Sequence, residues 1–184
     1  MIKVGIIAEH PTDTNAMIAL LAKRYEGIEW ISLIRGKNGS ELENVKIKHV
    51  LRVEYQVSKP DLVLFIRDLD SHEDDQESVD KRKAWYTDFR SVVDKKAILL
   101  LHIEEIESLL LADVSVLNKY YNAGLEEVED CMRIKSPKEY IKERIKRYSQ
   151  GDNKYLLGMC DYGALLQKCR YFKKFDEDFQ AKLN

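Results

Sequence analysis

Four short apolar runs, continuous rather than alternating, constrain the fold of this chain more than any other feature. They occupy residues 2–8, 30–34, 62–66 and 97–103 and are partly β-branched. Strands that are buried on both faces show this pattern, because neither side of their sheet meets solvent. Stretches of helical periodicity separate the runs, at residues 12–25, 41–57 and 76–93. The alternation predicts an α/β fold with a mainly parallel four-stranded sheet and flanking helices.

Beyond residue 103 the pattern is helical throughout. It predicts helices at residues 104–112, 114–121, 137–148, 161–169 and 172–183, with no stretch that reads as a long linker. We therefore expect an α/β core over residues 1–103 and an α-helical C-terminal extension over residues 104–184, packed on the core as a single compact unit. The 184 residues are enough for this arrangement but short for two complete enzyme domains.

Composition and cysteine usage bear on the cellular compartment. The chain is 45% hydrophobic and 34% charged, as globular proteins are. No stretch approaches the roughly 20 apolar residues of a membrane span, and the first apolar run is too short for a signal sequence. Three cysteines without CxxC spacing are typical of reduced thiols. We expect a cytoplasmic protein that does not contact membranes.

Three carboxylates follow predicted strands, where an open α/β sheet places its ligand site. Glu9 follows the first strand, and Asp68 and Asp70 follow the third. If the D-x-D segment stays extended, both aspartates face one side and Arg67 faces the other, where it would form ion pairs. Crowded carboxylates repel unless a cation neutralises them, and Mg²⁺ prefers such oxygen ligands. The pattern predicts a divalent-metal site. In the alternative interpretation, Glu9 is an ordinary acid near the start of a helix, and Asp68 and Asp70 belong to a polar loop.

These segments resemble the Toprim signature of topoisomerases, primases and several bacterial nucleases. The signature is a strand, a glutamate, a small residue and a helix, then a strand followed by Asp-x-Asp. Residues 6–13 and 64–70 match it, with His10 where glycine is usual. Residues 101–113 are similar to an E-[FI]-E-A-[LW]-L-x-x-D segment of small bacterial Toprim-like proteins, and residues 155–172 resemble their C-terminal region. These proteins are largely uncharacterised and are suspected of roles in phage defence.

The resemblance implies a Toprim- or Rossmann-like core in which Glu9, Asp68 and Asp70 are metal-binding and catalytic. Glu105 and Glu107 match the acids of the second segment. Either could supply ligands for a second ion, as in two-metal sites, or only decorate the first turn of a helix. The implied activity is Mg²⁺- or Mn²⁺-dependent phosphodiester hydrolysis of nucleic acid. A role in phage defence, with an ATPase or another protein partner in trans, is implied by the resemblance alone.

A basic stretch follows an acidic one. Residues 61–130 hold 18 acidic and 8 basic side chains, whereas residues 131–174 hold 4 acidic and 12 basic. Basic side chains bind phosphate backbones and interleaved tyrosines stack on bases, although a solvated helix face gives the same pattern. His10, beside the predicted site, is a candidate proton carrier. The candidate nucleic-acid-binding residues are Lys142, Arg144, Lys146, Arg147 and Lys154.

Missing motifs narrow the function further. The chain has no G-x-x-x-x-G-K-[ST] for an ATPase, no G-x-G-x-x-G after the first strand for a dinucleotide, and no CxxC pair for a zinc ribbon. A metal-dependent nuclease is the function that the sequence favours. Two alternatives stay open. One is a Toprim-shaped binding module without turnover, which His10 in place of glycine favours. The other is a small-molecule phosphatase with Asp68 as nucleophile.

Overall fold

A parallel sheet of four strands forms the centre of the protein. The structure, a computed structural model, describes residues 1–36 and 39–183. The strands are β1 (Ile2–Ile7), β2 (Ile28–Ser32), β3 (Leu62–Asp68) and β4 (Ala97–His102), in the spatial order β2-β1-β3-β4. All three pairings between neighbouring strands are parallel. The predicted α/β class and four-stranded parallel sheet are confirmed.

The described residues contain ten α-helices. The first four are α1 (Pro11–Leu21), α2 (Gly39–Leu42), α3 (Val45–Ser58) and α4 (Gln76–Arg90). The later six are α5 (Ser108–Ala112), α6 (Val114–Tyr121), α7 (Pro137–Arg144), α8 (Asn153–Met159), α9 (Tyr162–Lys168) and α10 (Arg170–Leu183).

The bounds of several predicted helices need correction. The helix predicted at residues 12–25 ends at Leu21, the one at 76–93 ends at Arg90, and the one at 104–112 begins at Ser108. The helix predicted at residues 41–57 is divided, because Asn44 caps a new helix by accepting a hydrogen bond from the backbone N–H of Lys46. The helix predicted at residues 137–148 ends at Arg144. No helix was predicted for α8, which is short and follows directly on a 3-10 turn at Gln150–Asp152.

Side chains of the strands alternate between two packed layers. Leu64 and Ile66 of β3 belong to the larger apolar cluster, which α1 and the C-terminal helices complete. Val63 and Phe65 belong to the smaller cluster on the opposite face, which α3 and α4 cover. Both faces of the sheet are therefore buried, which explains why the strands read as continuous apolar runs.

Helices that follow β4 cover one face of the core. α8 packs against α1, and α10 packs against β4 and α9. Phe179 of α10 stacks on Trp30 of β2 with a ring-centroid distance of 6.2 Å. The larger apolar cluster thus runs from the sheet into the helices of the second half of the chain. None of the helices in residues 1–36 and 39–183 is long and apolar enough to cross a membrane.

Candidate metal and catalytic site

The carboxyl ends of β1, β3 and β4 bring acidic side chains to one edge of the sheet. Asp68 is the last residue of β3, and its strand neighbour in β4 is His102. Asp13 lies in the first turn of α1, and Glu107 directly precedes α5. We call Asp13, Asp68 and Glu107 the carboxylate cluster, because their charges act on one another across this edge.

Asp68 is the centre of the cluster. Burial raises the pKa of its carboxyl well above the usual value, and the negative charges of neighbouring acids raise it further. Those acids are Asp13, Glu9, Glu107 and Asp70. A carboxyl in such surroundings holds its proton unless a cation supplies positive charge.

Asp13 is the acid of the cluster that the sequence analysis did not assign to the site. Its side chain is only 8% exposed. Burial, followed by the charge of Glu107, raises the pKa of Asp13 to about 7, although a hydrogen bond from the Thr12 hydroxyl opposes the shift. The spacing Glu9-x-x-x-Asp13 was the available signal, since it places an acid in the first helical turn after the carboxyl end of β1.

Glu107 is held more rigidly than the other acids. It is 1% exposed, and its Oε1 accepts hydrogen bonds from three side chains. The donors are the hydroxyl of Tyr148 at 2.9 Å, Nδ2 of Asn153 at 3.1 Å and Nε2 of Gln150 at 3.3 Å. All three lie between α7 and the start of α8, so this segment of the chain is fastened to the edge of the sheet beside the cluster.

Glu9 and Asp70, the other predicted ligands, are bound to arginines. Oε1 of Glu9 accepts from Nε of Arg67 at 2.5 Å and from the backbone N–H of Asp68 at 3.3 Å. Asp70 has a left-handed backbone (φ 56°), and its Oδ2 accepts from Nη2 of Arg82 at 2.8 Å. The D-x-D segment therefore leaves the extended conformation at Asp70, and the expectation of an extended segment is corrected there.

Arg67 and Arg82 form the positive side of a small ion-pair network. Arg67 is 1% exposed, lies on the opposite face from Asp68 as alternation predicts, and sits 4.5 Å from the ring centroid of Trp85. Oε1 of Glu43 accepts from Nη2 of Arg67 at 3.4 Å and from Nη1 of Arg82 at 2.8 Å. We call Glu9, Glu43 and Asp70 the arginine-paired acids, because guanidinium groups already balance their charge.

Glu105 is engaged by the start of α7. It accepts from the backbone N–H of Lys138 at 2.9 Å and from its Nζ at 2.8 Å. Burial opposes protonation of Lys138, but Glu105, Glu107 and Asp68 outweigh it and raise the lysine pKa. Lys138 thus brings a positive charge to the border of the carboxylate cluster, and the sequence analysis had not included it among the binding residues.

The five predicted nucleic-acid-binding residues lie on and just after α7 and at the start of α8. Lys142 pairs with Glu139, and Arg144 lies over the ring of Tyr140. Nη2 of Arg147 donates to the backbone oxygen of Tyr121 at 2.6 Å. Lys146 and Lys154 are exposed. This segment also carries the donors to Glu107, so part of its chain lies beside the cluster. Nucleic-acid contact by its basic side chains stays a prediction.

His10 caps α1 in this structure. Its Nδ1 accepts from the backbone N–H of Thr12 at 3.3 Å and lies 2.8 Å from the threonine hydroxyl oxygen. The imidazole is exposed at the edge of the sheet next to Glu9. Its role as a proton carrier stays a prediction.

The donor chemistry of the carboxylate cluster fits a hard divalent cation. Its ligating atoms are oxygens, and the pKa of Asp68 is raised first by burial and then by the negative charges of neighbouring acids. Among residues 1–36 and 39–183, no three His, Cys, Asp or Glu side chains are yet gathered closely enough to hold a metal ion. Metal uptake at this edge would therefore require side chains of the cluster to rotate towards one another.

Comparisons with protein-family models, with curated proteins and with solved structures give no match to this chain. The resemblance to Toprim proteins consequently rests on the motif residues alone and stays a prediction.

Proposed function

We propose that this protein is a divalent-metal-dependent phosphodiesterase that acts on nucleic acid. The observation that carries the proposal is the carboxylate cluster, which lies at the carboxyl edge of the sheet beside a basic segment, and in which burial and neighbouring negative charges raise the pKa of Asp13 and of Asp68. Open parallel sheets bind ligands at this edge. A cation would relieve the repulsion and would at the same time attract a phosphate.

Each group of residues has a distinct part in this proposal. Asp13, Asp68 and Glu107 hold Mg²⁺ or Mn²⁺, which when bound supplies an activated water and neutralises phosphoryl charge. Glu9 positions Asp68 through the hydrogen bond from the Asp68 backbone N–H. Metal ligation by Glu9, Asp70 or Glu105 requires these side chains to leave their basic partners.

Basic side chains next to the cluster bind the strand in this proposal. Lys138 is one of them, since its charge acts on Asp68 and Glu107. The exposed Lys146 and Lys154 extend the positive surface away from the cluster. A role in phage defence and an ATPase or other partner in trans are proposals that rest on the Toprim resemblance.

A binding module without turnover is the second candidate. It is favoured by the ion pairs that Glu9 and Asp70 make with Arg67 and Arg82, because they neutralise two of the predicted ligands. In this case the protein would take up metal and nucleic acid but would leave the phosphodiester intact.

The test is cleavage of single- and double-stranded DNA and RNA with Mg²⁺ or Mn²⁺. We expect activity in the wild type and at least a 100-fold loss in Asp68→Asn and in Asp13→Asn, since both remove a ligand charge. The matched control is Asp178→Asn, which changes a half-exposed aspartate of α10 that pairs with Lys174 and should keep full activity.

Metal binding, measured by calorimetry on the same proteins, separates the candidates. Metal binding that Asp68→Asn abolishes, without cleavage of any substrate, would support the binding module. A folded wild type that neither binds Mg²⁺ or Mn²⁺ nor cleaves any substrate would refute the proposal.

A further inference from the structure

A cavity of about 360 Å³ opens beside the carboxylate cluster, on the other flank of α1. The carboxyl end of β2, the segment that follows it and the first two turns of α1 form its walls. Its volume lies within the about 300–1,000 Å³ that ligand pockets typically have. No residue of the cavity belongs to the carboxylate cluster, so its function is a separate question.

Chain neighbours link the cavity to the cluster. Ala8 and Thr14 line the cavity, whereas Glu9 and Asp13, the residues next to them, lie at the acidic edge. Successive side chains of a helix diverge by about 100°, so Asp13 and Thr14 point to different flanks of α1. The strand order also separates the cavity from the cluster. β2 lines the cavity and β3 carries Asp68, and these two strands lie on opposite sides of β1.

The lining has apolar walls and a few polar groups. Ile18, Trp30 and Leu33 supply apolar surface, and Asn15, Ser32 and Arg35 supply hydrogen-bonding groups. An asparagine amide both donates and accepts, and a guanidinium binds phosphate in a fixed planar geometry. This combination suits a flat heteroaromatic ring that has a polar edge and an attached phosphate.

Trp30 is the wall best suited to such a ring. It is partly buried, and its indole stacks on Phe179 with an angle of 14° between the ring planes. That packing holds the indole in one orientation, which lowers the entropy cost of stacking a ligand on it. Asn15 and Arg35 are exposed, so they can reach a ligand at the mouth of the cavity.

We propose that this cavity holds one unstacked nucleobase of a single-stranded nucleic acid, whose neighbouring phosphodiester lies at the carboxylate cluster. The inference rests on the proposed function and names its substrate form. A base within a duplex would first have to leave the stack, which costs a few kcal/mol. Stacking on Trp30 provides affinity for any base, and Asn15 reads the polar edge.

The experiment measures binding without cleavage. Fluorescence anisotropy in EDTA, with Asp68→Asn as the background protein, follows a 12-nucleotide single strand and a strand of abasic residues with the same backbone. The base-bearing strand is made as DNA and as RNA, and the abasic strand is made as DNA. Trp30→Ala should weaken binding of the base-bearing strand about 10-fold, as expected for one lost stacking contact. Binding of the abasic strand should not change.

Matched variants keep the result interpretable if Trp30→Ala folds poorly. Trp30→Phe retains an aromatic ring and should bind within about 3-fold of the parent. Asn15→Ala and Arg35→Ala change exposed side chains and should each weaken binding of the base-bearing strand. Their controls, Gln167→Ala and Arg52→Ala, remove an exposed amide and an exposed guanidinium elsewhere and should have no effect.

Equal affinity of the two strands, or the same affinity in all variants, would overturn the proposal. Binding of nucleoside monophosphates without binding of a strand would also overturn it, because the base would then come from a free nucleotide. If the wild type cleaves nucleic acid but the Trp30 and Asn15 variants bind the strand as the parent does, the base site would be refuted and the proposed function would stand. If binding depends on the base but the wild type cleaves no substrate, the base site would stand and the proposed function would be refuted.

Discussion

Two groups of acids at the same edge of the sheet differ in their counter-charges. The arginine-paired acids Glu9, Glu43 and Asp70 accept hydrogen bonds from Arg67 and Arg82. In the carboxylate cluster, Asp13 accepts from a hydroxyl and Glu107 from a hydroxyl and two amides instead, and the pKa values of Asp13 and Asp68 are raised.

The difference shows where an external cation has the most to gain. An acid that is paired with arginine must lose that partner before it can bind metal, and for the largely buried pair of Glu9 and Arg67 this costs several kcal/mol. When an acid that is surrounded by like charges binds a metal ion, it gives up only its proton, and the repulsion from its neighbours is relieved. Proximity to the edge therefore does not by itself make a ligand, since the balance of charge decides which acids are available.

The largest effect is expected when the arginine-paired group loses its buried cation. Arg67→Met should lower the free energy of unfolding by about 3–5 kcal/mol, because it leaves Glu9 without its charged partner at a largely buried position. Urea denaturation at neutral pH measures the change. The double variant Arg67→Met/Glu9→Gln should recover part of the loss, and a loss below about 1 kcal/mol would show that the pair is solvated.

A smaller effect on the free energy of unfolding is expected from Asp13 of the carboxylate cluster, and it depends on pH. The pKa of Asp13 is about 7 in the folded protein and 3.8 in its reference state, so the folded form retains a proton that the unfolded chain releases. Stability from this residue is therefore complete below about pH 4 and is lost as the pH rises to about 7. The loss amounts to at most about 4 kcal/mol.

Asp13→Asn should remove this pH dependence and make the protein more stable than the wild type at pH 8. Urea denaturation of both proteins at pH 5 and pH 8 tests it. The surface control Asp178→Asn should follow the wild type at both values. If Asp13→Asn were less stable than the wild type at pH 8, a positive charge would have to balance Asp13, and the contrast between the two groups would disappear.

The smallest effect is expected at the exposed end of the arginine-paired group. Asp70 is 60% exposed at its side chain, and Arg82 keeps its bonds to Glu43 and to the backbone oxygen of Asp68 without it. Asp70→Asn should change the free energy of unfolding by less than about 1 kcal/mol, and less at high salt. A loss above about 2 kcal/mol in urea denaturation would show that the ion pairs act as one coupled network.

Sequence patterns predicted the sheet well because strand burial is a periodic property. The four continuous apolar runs correspond to β1–β4 within two residues at each end. Alternation along β3 also placed Asp68 and Arg67 on opposite faces. Failures occurred where one local contact decides the backbone, as at Asn44, which starts a new helix, and at Asp70, whose left-handed conformation ends the extended segment.

The sequence by itself determined the chain's α/β class and the position of Glu9, Asp68 and Asp70 at the carboxyl edge, because both follow from local periodicity and from position relative to a strand. It did not identify Asp13. Only the tertiary structure decided which acids have partners. Glu9 and Arg67 are 58 positions apart, and Arg82 and Glu43 are 39 positions apart. Pairing and burial depend on groups that are distant along the chain, so the charge state of Asp13 and Asp68 is a property of the folded protein.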